Sequence, residues 1–306
     1  MVLAMRDWML YRNANHMYKV TMSKTINTWT DERKLLIKPL LKHLNKQTTV
    51  KAWDEVTTIY KGLIKPITDA TTADGTYTDW VVLKSDTRSC LYTAVLNGQP
   101  VIVKTYVILD EQFYHYGRKE DTVTQALYEQ GFNVPVRYQS FTTDHQLCIP
   151  MQKLDTTLLE MYQKNPCGIG IEKVKRMVKC FVPILHILHT VHKHCYVDFS
   201  CGNVGFYHNE PYMIDFGALC PTFCSPCMKT DRYASINAMQ GKVTYVDDLQ
   251  SLGFVITEAL CGPCYELDKT TTIEKALTGQ IGEFLQAYFK ALESDDPYTA
   301  LLALTQ

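Results

Sequence analysis

The spacing of hydrophobic residues divides the chain into three stretches. In residues 1 to about 76, leucine and isoleucine recur at helical spacing, and Thr30 is a predicted N-cap for the first such run. Pro39 lies inside this run and predicts a kink or a late start. The first stretch is therefore predicted to be mostly helical.

The second stretch, from about residue 80 to residue 151, contains short β-type runs. Its predicted strands are WVVLK, CLYTAVLNG, PVIVKTYVI, PVRYQSF and QLCIPM. Asn97 and Gly98 separate two of these runs and predict a hairpin, because this dipeptide suits a tight two-residue turn. The Thr-, Asp- and Gly-rich residues 67–79 are predicted to be a loop, and KEDTVTQALYEQG a helix with Glu120 at its start.

From about Leu154 onward, helical periodicity dominates. The predicted helices are LDTTLLEMYQKN, IEKVKRMVKCFVPILHILHTVHKH, DDLQSLGFVITEAL and IGEFLQAYFKALES. One strand-loop-strand insert, YVDFSCGNVGFYHNEPYMIDFG, interrupts them. A β-rich half followed by an α-rich half predicts two lobes with a cleft between them.

Length and charge narrow the class of protein. The 306 residues suggest two domains of about 150 residues or one large bilobal unit. A content of 46% hydrophobic and 21% charged residues is typical of a folded chain. The formal net charge of -1 gives no electrostatic support for a nucleic-acid or membrane-surface partner. The start of the sequence lacks the hydrophobic region of a secretory signal, since Arg6, Asp7 and Arg12 interrupt it, and no apolar run is long enough to cross a membrane. We therefore expect an intracellular protein, cytoplasmic or nuclear.

The insert carries the most informative polar residues. Asp198 is followed by Asn203, and Asp215 opens the tripeptide DFG after a predicted hairpin. Asn203 and Asp215 offer the hard oxygen ligands that Mg²⁺ prefers, and Asp198 is the candidate base for a hydroxyl proton. Upstream, Lys104 ends the run VIVK and Glu120 follows in the predicted helix. A lysine held by a glutamate can neutralise phosphate charge beside the metal.

In this order, a strand lysine, a helix glutamate, D-x-x-x-x-N and DFG resemble the protein-kinase family. Downstream, DRYASINAMQG, DDLQSLGF and the closing helices resemble the casein kinase 1 and vaccinia-related kinase branch. The resemblance implies an α+β, bilobal protein-kinase-like fold with a β-rich N-lobe (77–153) and an α-helical C-lobe (154–306). Residues 1–76 would form an N-terminal helical extension, and the drifted motifs would suit a viral protein.

The resemblance also implies roles for the polar residues of the insert and the β-rich half. Asp198 would be the catalytic base that orients a substrate Ser or Thr hydroxyl. Asn203 and Asp215 would bind Mg²⁺, while Lys104, held by Glu120, would contact the phosphates of ATP.

Two further assignments concern adenine and the catalytic loop. Adenine would lie against the segment that connects the lobes, which contains Met151, Lys153 and Leu154. Asp248 would lie buried in a helix and brace the catalytic loop through backbone amides.

The chain departs from the kinase pattern at three places. The loop LKSDTRSCL has no glycine, which should keep its backbone away from phosphates, although Ser85 and Arg88 could compensate in part. The catalytic loop reads YVD instead of HRD, so Val197 cannot pair with a phosphorylated activation loop and activity should not need that modification. Ser200 replaces the usual lysine, which could cost on the order of 2 kcal/mol of transition-state stabilisation.

Three functions are compatible with this pattern. The first is a Ser/Thr protein kinase that acts on a protein substrate with ATP and Mg²⁺. The second is a weak or inactive pseudokinase that acts as a scaffold, with residues 1–76 as a partner-binding segment. The third is a phosphotransferase acting on a small molecule, against which the RYASIN text argues.

The cysteines and histidines add weaker predictions. Eleven cysteines are expected to be reduced thiols, yet Cys224, Cys227, Cys261 and Cys264 form two C-x-x-C pairs that a structural zinc could join. The histidines at positions 186 to 194 are expected to be structural, with His192 matching the helix-end histidine of kinases.

Overall fold

The computed structural model describes residues 70–85, 89–107, 111–143, 146–165, 167–223, 230, 232–262 and 279–306. The predicted helices before residue 70 lie outside these ranges. The described residues belong to two compact units: the first takes in residues 70–118 and 138–151, the second residues 119–137 and 152–306.

The first unit is built on a six-stranded sheet. Its strands, in chain order, are β1 (Ala70–Thr72), β2 (Gly75–Ser85), β3 (Ser89–Leu96), β4 (Gln99–Val107), β5 (Phe141–Thr142) and β6 (Gln146–Gln152). Their spatial order is β1-β2-β3-β4-β6-β5, and the β1–β2, β2–β3, β3–β4 and β5–β6 pairs are antiparallel. Buried residues alternate along β3 and form one face of the core, which includes Tyr92, Ala94 and Leu96.

The predicted hairpin at Asn97 and Gly98 is confirmed. Leu96 pairs with Gln99, and the two turn residues adopt φ values of 51° and 80°. Both turn residues must take positive φ in the tight turn whose twist matches the flanking strands.

The loop prediction for residues 67–79 is wrong over its described part, because β1 and the start of β2 form a hairpin there. Gly75 turns with φ 134°, and a Cβ at this position would come within 2.2 Å of Asn97 Oδ1. The missing side chain admits Asn97, whose Nδ2 donates to the Asp74 carbonyl at 2.6 Å. The sheet therefore begins before residue 77, since contacts with a second hairpin outweigh the loop-like composition.

Helix α1 spans Glu111–Glu129, so it begins earlier than predicted and Glu120 lies in its middle rather than at its start. The extra turns contain Tyr114 and Tyr116, which pack against a cluster that includes Tyr106. These are tertiary contacts, and local periodicity does not report them.

The second unit is mainly helical. Its helices are α2 (Leu158–Lys164), α3 (Ile171–Thr190), α4 (Ile236–Met239), α5 (Tyr245–Cys261), α6 (Gly279–Ala291) and α7 (Pro297–Ala303). Its short strands are β7 (Thr156–Thr157), β8 (His194–Cys195), β9 (Val204–Tyr207), β10 (Glu210–Met213) and β11 (Cys220–Pro221). Helix α5 is buried from Asp247 to Leu260 except at Gln250, so it forms the centre of the apolar core.

Several helix ends differ from the sequence prediction. Helix α2 starts at Leu158 rather than near Leu154, because Thr157 forms a capping box with Glu160. Helix α3 stops at Thr190, and His194 belongs to β8.

In the described residues, no helix is both long enough and apolar enough to span a membrane.

Candidate active site

The loop after β8 carries Asp198 and is closed by a 3₁₀ turn over Cys201–Asn203. Asn203 Nδ2 donates to the Asp198 carbonyl at 2.7 Å, so the amide fixes the backbone of the loop that bears the carboxylate. Thr230 Oγ1 donates to Asp198 Oδ1 at 2.8 Å. The carboxylate therefore accepts a hydrogen bond from a hydroxyl.

The β9–β10 hairpin brings Asp215 back to this loop. Val204 pairs with Met213 at the end of the hairpin, and the Ile214 N–H then donates to the Asn203 carbonyl at 3.2 Å. Asp215 has φ 63° and accepts from the Gly217 N–H at 3.2 Å. Asn203 and Asp215 thus lie on adjacent backbone segments joined by a hydrogen bond.

Asp248 on α5 anchors the loop that carries Asp198. Its carboxylate accepts the backbone N–H groups of Tyr196 at 2.5 Å and Val197 at 2.8 Å. His189 Nε2 lies 2.9 Å from the same carboxylate, and its Nδ1 lies 2.7 Å from the Tyr298 hydroxyl. This is the bracing that the resemblance implies for Asp248.

The assignment of His192 as the helix-end histidine is wrong, because the helix ends at Thr190; the histidine on its last turn is His189, which contacts Asp248. His192 follows the end of α3, and its Nε2 is buried without a hydrogen-bond partner among the described residues. Burial lowers the pKa of His192, so the neutral imidazole is favoured. The choice between these histidines depends on which one faces α5.

Aromatic rings support the same loops. The Tyr196 ring centroid lies 4.6 Å from that of Phe199 and 5.4 Å from that of Phe216. The Tyr196 hydroxyl donates to the Ile214 carbonyl. These contacts hold the residues that flank Asp198 and Asp215 in a dry, ordered environment.

The predicted nucleotide residues divide between the two units. Lys104 is buried on β4, and its Nζ lies 5.2 Å from the Tyr106 ring centroid. Glu120 is buried on the part of α1 that belongs to the second unit. Among the adenine candidates, Met151 packs with the Tyr106 cluster in the first unit, whereas Leu154 packs against Gly205 in the second. Lys153 follows β6 and is exposed.

Some predictions lie outside the described residues. These include Arg88, the side chain of Ser85, and three of the four zinc candidates, Cys224, Cys227 and Cys264. Cys261 is described, and partial burial raises the pKa of its thiol. Within the described ranges, no cluster of three or more His, Cys, Asp or Glu side chains could hold a metal ion. The zinc site stays a prediction.

The donor set at Asn203 and Asp215 suits a hard divalent cation. The Asn203 amide nitrogen is bound to the Asp198 carbonyl, which leaves the amide oxygen as the atom that can ligate a cation. Together with the Asp215 carboxylate it would supply two oxygen ligands of the kind that Mg²⁺ accepts alongside water and phosphate oxygens.

Sequence reasoning missed several residues that contact the site or the segments next to it. Besides Thr230, Lys119 Nζ donates to the Leu219 carbonyl at 2.7 Å and ties α1 to the segment after DFG. Glu258 on α5 contacts Arg232 and Tyr233. Thr230 lies two residues before the start of the RYASIN segment, which was a usable signal, whereas no pattern pointed to Glu258.

Comparison with known proteins identifies the fold. No family model matches the chain, and no curated protein matches it in sequence. The crystal structure of the PF14_0431 kinase domain is similar, with a TM-score of 0.53 over 65% of this chain and 67% of that chain at 16% sequence identity. It is one of many solved chains that resemble this one. The chain has a protein-kinase-like fold, with a β-sheet unit followed by a helical unit.

Proposed function

We propose that this protein is an ATP-dependent Ser/Thr protein kinase of the casein kinase 1 or vaccinia-related type. The observation that carries the proposal is the joint placement of Asp198, Asn203 and Asp215 on hydrogen-bonded loops of a kinase-like fold. The RYASIN and DDLQSLGF segments support the branch. Nothing in the comparisons bears on a viral origin, which stays a prediction.

Asp198 would orient the acceptor. Its Oδ1 already accepts a hydrogen bond from the Thr230 hydroxyl, which is the interaction that a substrate Ser or Thr would make. A carboxylate in this position aligns the hydroxyl for attack and can take its proton as the new bond forms.

Asn203 and Asp215 would hold Mg²⁺. The cation, when bound, neutralises the charge of the phosphate oxygens. The protein contributes the placement of its two ligands, because the Asn203 amide is fixed by the Asp198 carbonyl and Asp215 by its own turn. The resemblance implies that Lys104, held by Glu120, would contact the phosphates of ATP. Adenine would lie against the segment that contains Met151, Lys153 and Leu154.

A second candidate function is a nucleotide-sensing pseudokinase. The loop LKSDTRSCL lacks the glycines that let backbone N–H groups approach phosphates, and Ser200 removes a positive charge from the catalytic loop. Both losses lower the expected rate. In this case residues 1–76 would act by binding a partner protein.

The test is phosphate transfer from labelled ATP, with Mg²⁺, to a generic acidic protein. The purified chain is compared with Asp198→Asn and Lys104→Met, and with the surface controls Asp295→Asn and Lys290→Met. We expect transfer by the wild type and both controls, and a loss of about 100-fold or more in the two site variants.

The other outcomes separate the alternatives. Transfer that both site variants retain would come from a contaminant and contradict the proposal. A thermal shift with Mg-ATP but no transfer would favour the pseudokinase, and transfer only to a small-molecule acceptor would favour a small-molecule phosphotransferase. If Mg-ATP produces no thermal shift and no transfer is seen, the result would favour a scaffold that binds no nucleotide.

A further inference from the structure

A buried glutamate lies next to the candidate site and has no role in the proposed chemistry. Glu258 is on the last turns of α5 and is only 3% exposed. A carboxylate taken out of water is costly unless hydrogen bonds and charges compensate it. Its partners therefore indicate what keeps it there.

The partners come from two separate segments. Arg232 Nε donates to Glu258 Oε2 at 2.5 Å, and the Tyr233 hydroxyl donates to Oε1 at 2.9 Å. From the other side, the Cys201 thiol donates to Oε1 at 3.3 Å. The Tyr233 hydroxyl also lies 3.2 Å from Cys201 Sγ. One carboxylate thus joins the two segments.

Both segments lead to Asp198. Cys201 opens the 3₁₀ turn that follows Asp198 and ends at Asn203. Arg232 and Tyr233 follow Thr230, whose hydroxyl donates to Asp198 Oδ1. Glu258 therefore binds both of the backbone segments that meet at the carboxylate of Asp198.

The environment of this cluster is closed to solvent on the Cys201 and Tyr233 side. Both side chains are buried, and burial raises the pKa of the Cys201 thiol to about 12. Only the guanidinium of Arg232 reaches the surface, with 41% of its side chain exposed. In such surroundings, hydrogen bonds to a charged group are strong and tolerate little change in distance or angle.

We propose that Glu258 is a positioning residue, which fixes the segment of Thr230 and the loop of Asp198 against each other so that an acceptor hydroxyl meets the carboxylate. This inference rests on the proposed kinase function. It also supplies a reason for the expectation that a chain with Val197 in place of the HRD arginine would need no phosphorylated segment, because Glu258 on α5 binds Arg232 and Tyr233 directly.

The experiment compares Glu258→Ala, Glu258→Gln and Tyr233→Phe with the exposed-glutamate controls Glu283→Ala and Glu283→Gln. Two measurements are made below the melting temperature of every variant. One is kcat for transfer to the protein acceptor beside KM for Mg-ATP. The other is the rate of iodoacetamide labelling at Cys201, resolved by peptide mass spectrometry.

We expect Glu258→Ala to lower kcat by about 10- to 100-fold with KM for Mg-ATP unchanged, because a displaced acceptor segment affects alignment and not nucleotide binding. Glu258→Gln keeps an acceptor for Tyr233 and should lose less, and Tyr233→Phe should lose less again. Labelling of Cys201 should accelerate in Glu258→Ala. The Glu283 variants should match the wild type in both measurements.

The failures are distinguishable. If the wild type is inactive, the proposed function is overturned, and the positioning role of Glu258 in catalysis is overturned with it. An active wild type with kcat unchanged in Glu258→Ala overturns the positioning role alone. A parallel loss of kcat and Mg-ATP binding in Glu258→Gln would show a merely structural residue and also overturn it, as would unchanged labelling of Cys201 in folded Glu258→Ala.

Discussion

Val197 shows how a single residue is held in an unfavourable conformation next to the candidate base. Its φ of 72° is rare for a β-branched residue, because the side chain crowds the backbone in the left-handed region. Two contacts hold it: the Val197 N–H donates to Asp248, and the side chain packs in an apolar cluster with Ala234 and Val243. Strained residues of this kind persist where surrounding contacts outweigh the strain.

The strain predicts an inverted order of stability at Val197. Val197→Gly should be more stable than Val197→Ala by about 0.5–1 kcal/mol in urea unfolding, because both variants lose the two γ-methyl groups and only glycine, without a Cβ, accepts positive φ freely. Val243, in the same cluster with ordinary φ, is the control: there Ala should be more stable than Gly. The same order at both positions would contradict the strain.

At the scale of elements, the contact between the α2–α3 connection and α5 depends on a missing side chain. A Cβ on Gly168 would meet the Leu260 carbonyl oxygen at 2.1 Å, which is backbone and cannot swing away. The next residue, Ile169, donates its N–H to the Ala259 carbonyl at 2.6 Å. The connection therefore packs backbone against backbone at the end of α5.

Gly168→Ala is accordingly expected to lower the free energy of unfolding by about 2–3 kcal/mol, since the backbone must separate to admit the methyl group. Gly170→Ala is the matched control. Gly170 is the N-cap of α3 with φ of -65°, and a Cβ there has no heavy atom within 4 Å. Its change should stay within about 0.5 kcal/mol. Chemical denaturation of both variants measures the difference, and equal losses would contradict the backbone contact.

For the whole molecule, the cysteines report how the two units bury their interiors. The eight described cysteines are free thiols; Cys90, Cys148, Cys195 and Cys201 are buried, whereas Cys167 is exposed. For the chain as a whole, the expectation of reduced thiols stays a prediction. Burial raises the pKa of Cys148 in the first unit and of Cys201 in the second to about 12.

The raised pKa values predict an order of alkylation at pH 8. A thiol with a pKa of about 12 is thiolate in roughly one molecule in 10⁴ at this pH, and only the thiolate reacts. Iodoacetamide should therefore modify the exposed Cys167 before Cys148 and Cys201, which should stay unmodified in the native protein. In urea all eleven cysteines should react. Native labelling of Cys148 as fast as Cys167 would contradict the packing of the first unit.

Several features could be predicted because they depend on residues close together in the chain. The turn at Asn97 and Gly98 requires two residues that accept positive φ. The β9–β10 hairpin and Asp215 follow from a pattern within the insert. The assignment of Asp248 came from a resemblance in sequence. In the structure, its carboxylate accepts hydrogen bonds from the Tyr196 and Val197 N–H groups.

Other features could not be predicted because they depend on partners distant in the chain. The early start of α1 follows from aromatic contacts with the sheet, and β1 from a contact between two hairpins. The error between His189 and His192 has the same origin: both lie near the end of one helix, and only the position of α5 decides which meets Asp248.

The sequence by itself determined which chemistry to propose, since the order of a strand lysine, a helix glutamate, D-x-x-x-x-N and DFG resembles the protein-kinase family and predicts phosphoryl transfer without any coordinates. Only the tertiary structure decided how the candidate base is held. Asp248 and Glu258 are nearly three helical turns apart on α5, yet each collects hydrogen bonds from segments far away in the chain. Local preferences act over a few residues, whereas a buried carboxylate finds its partners only when the chain has packed around it.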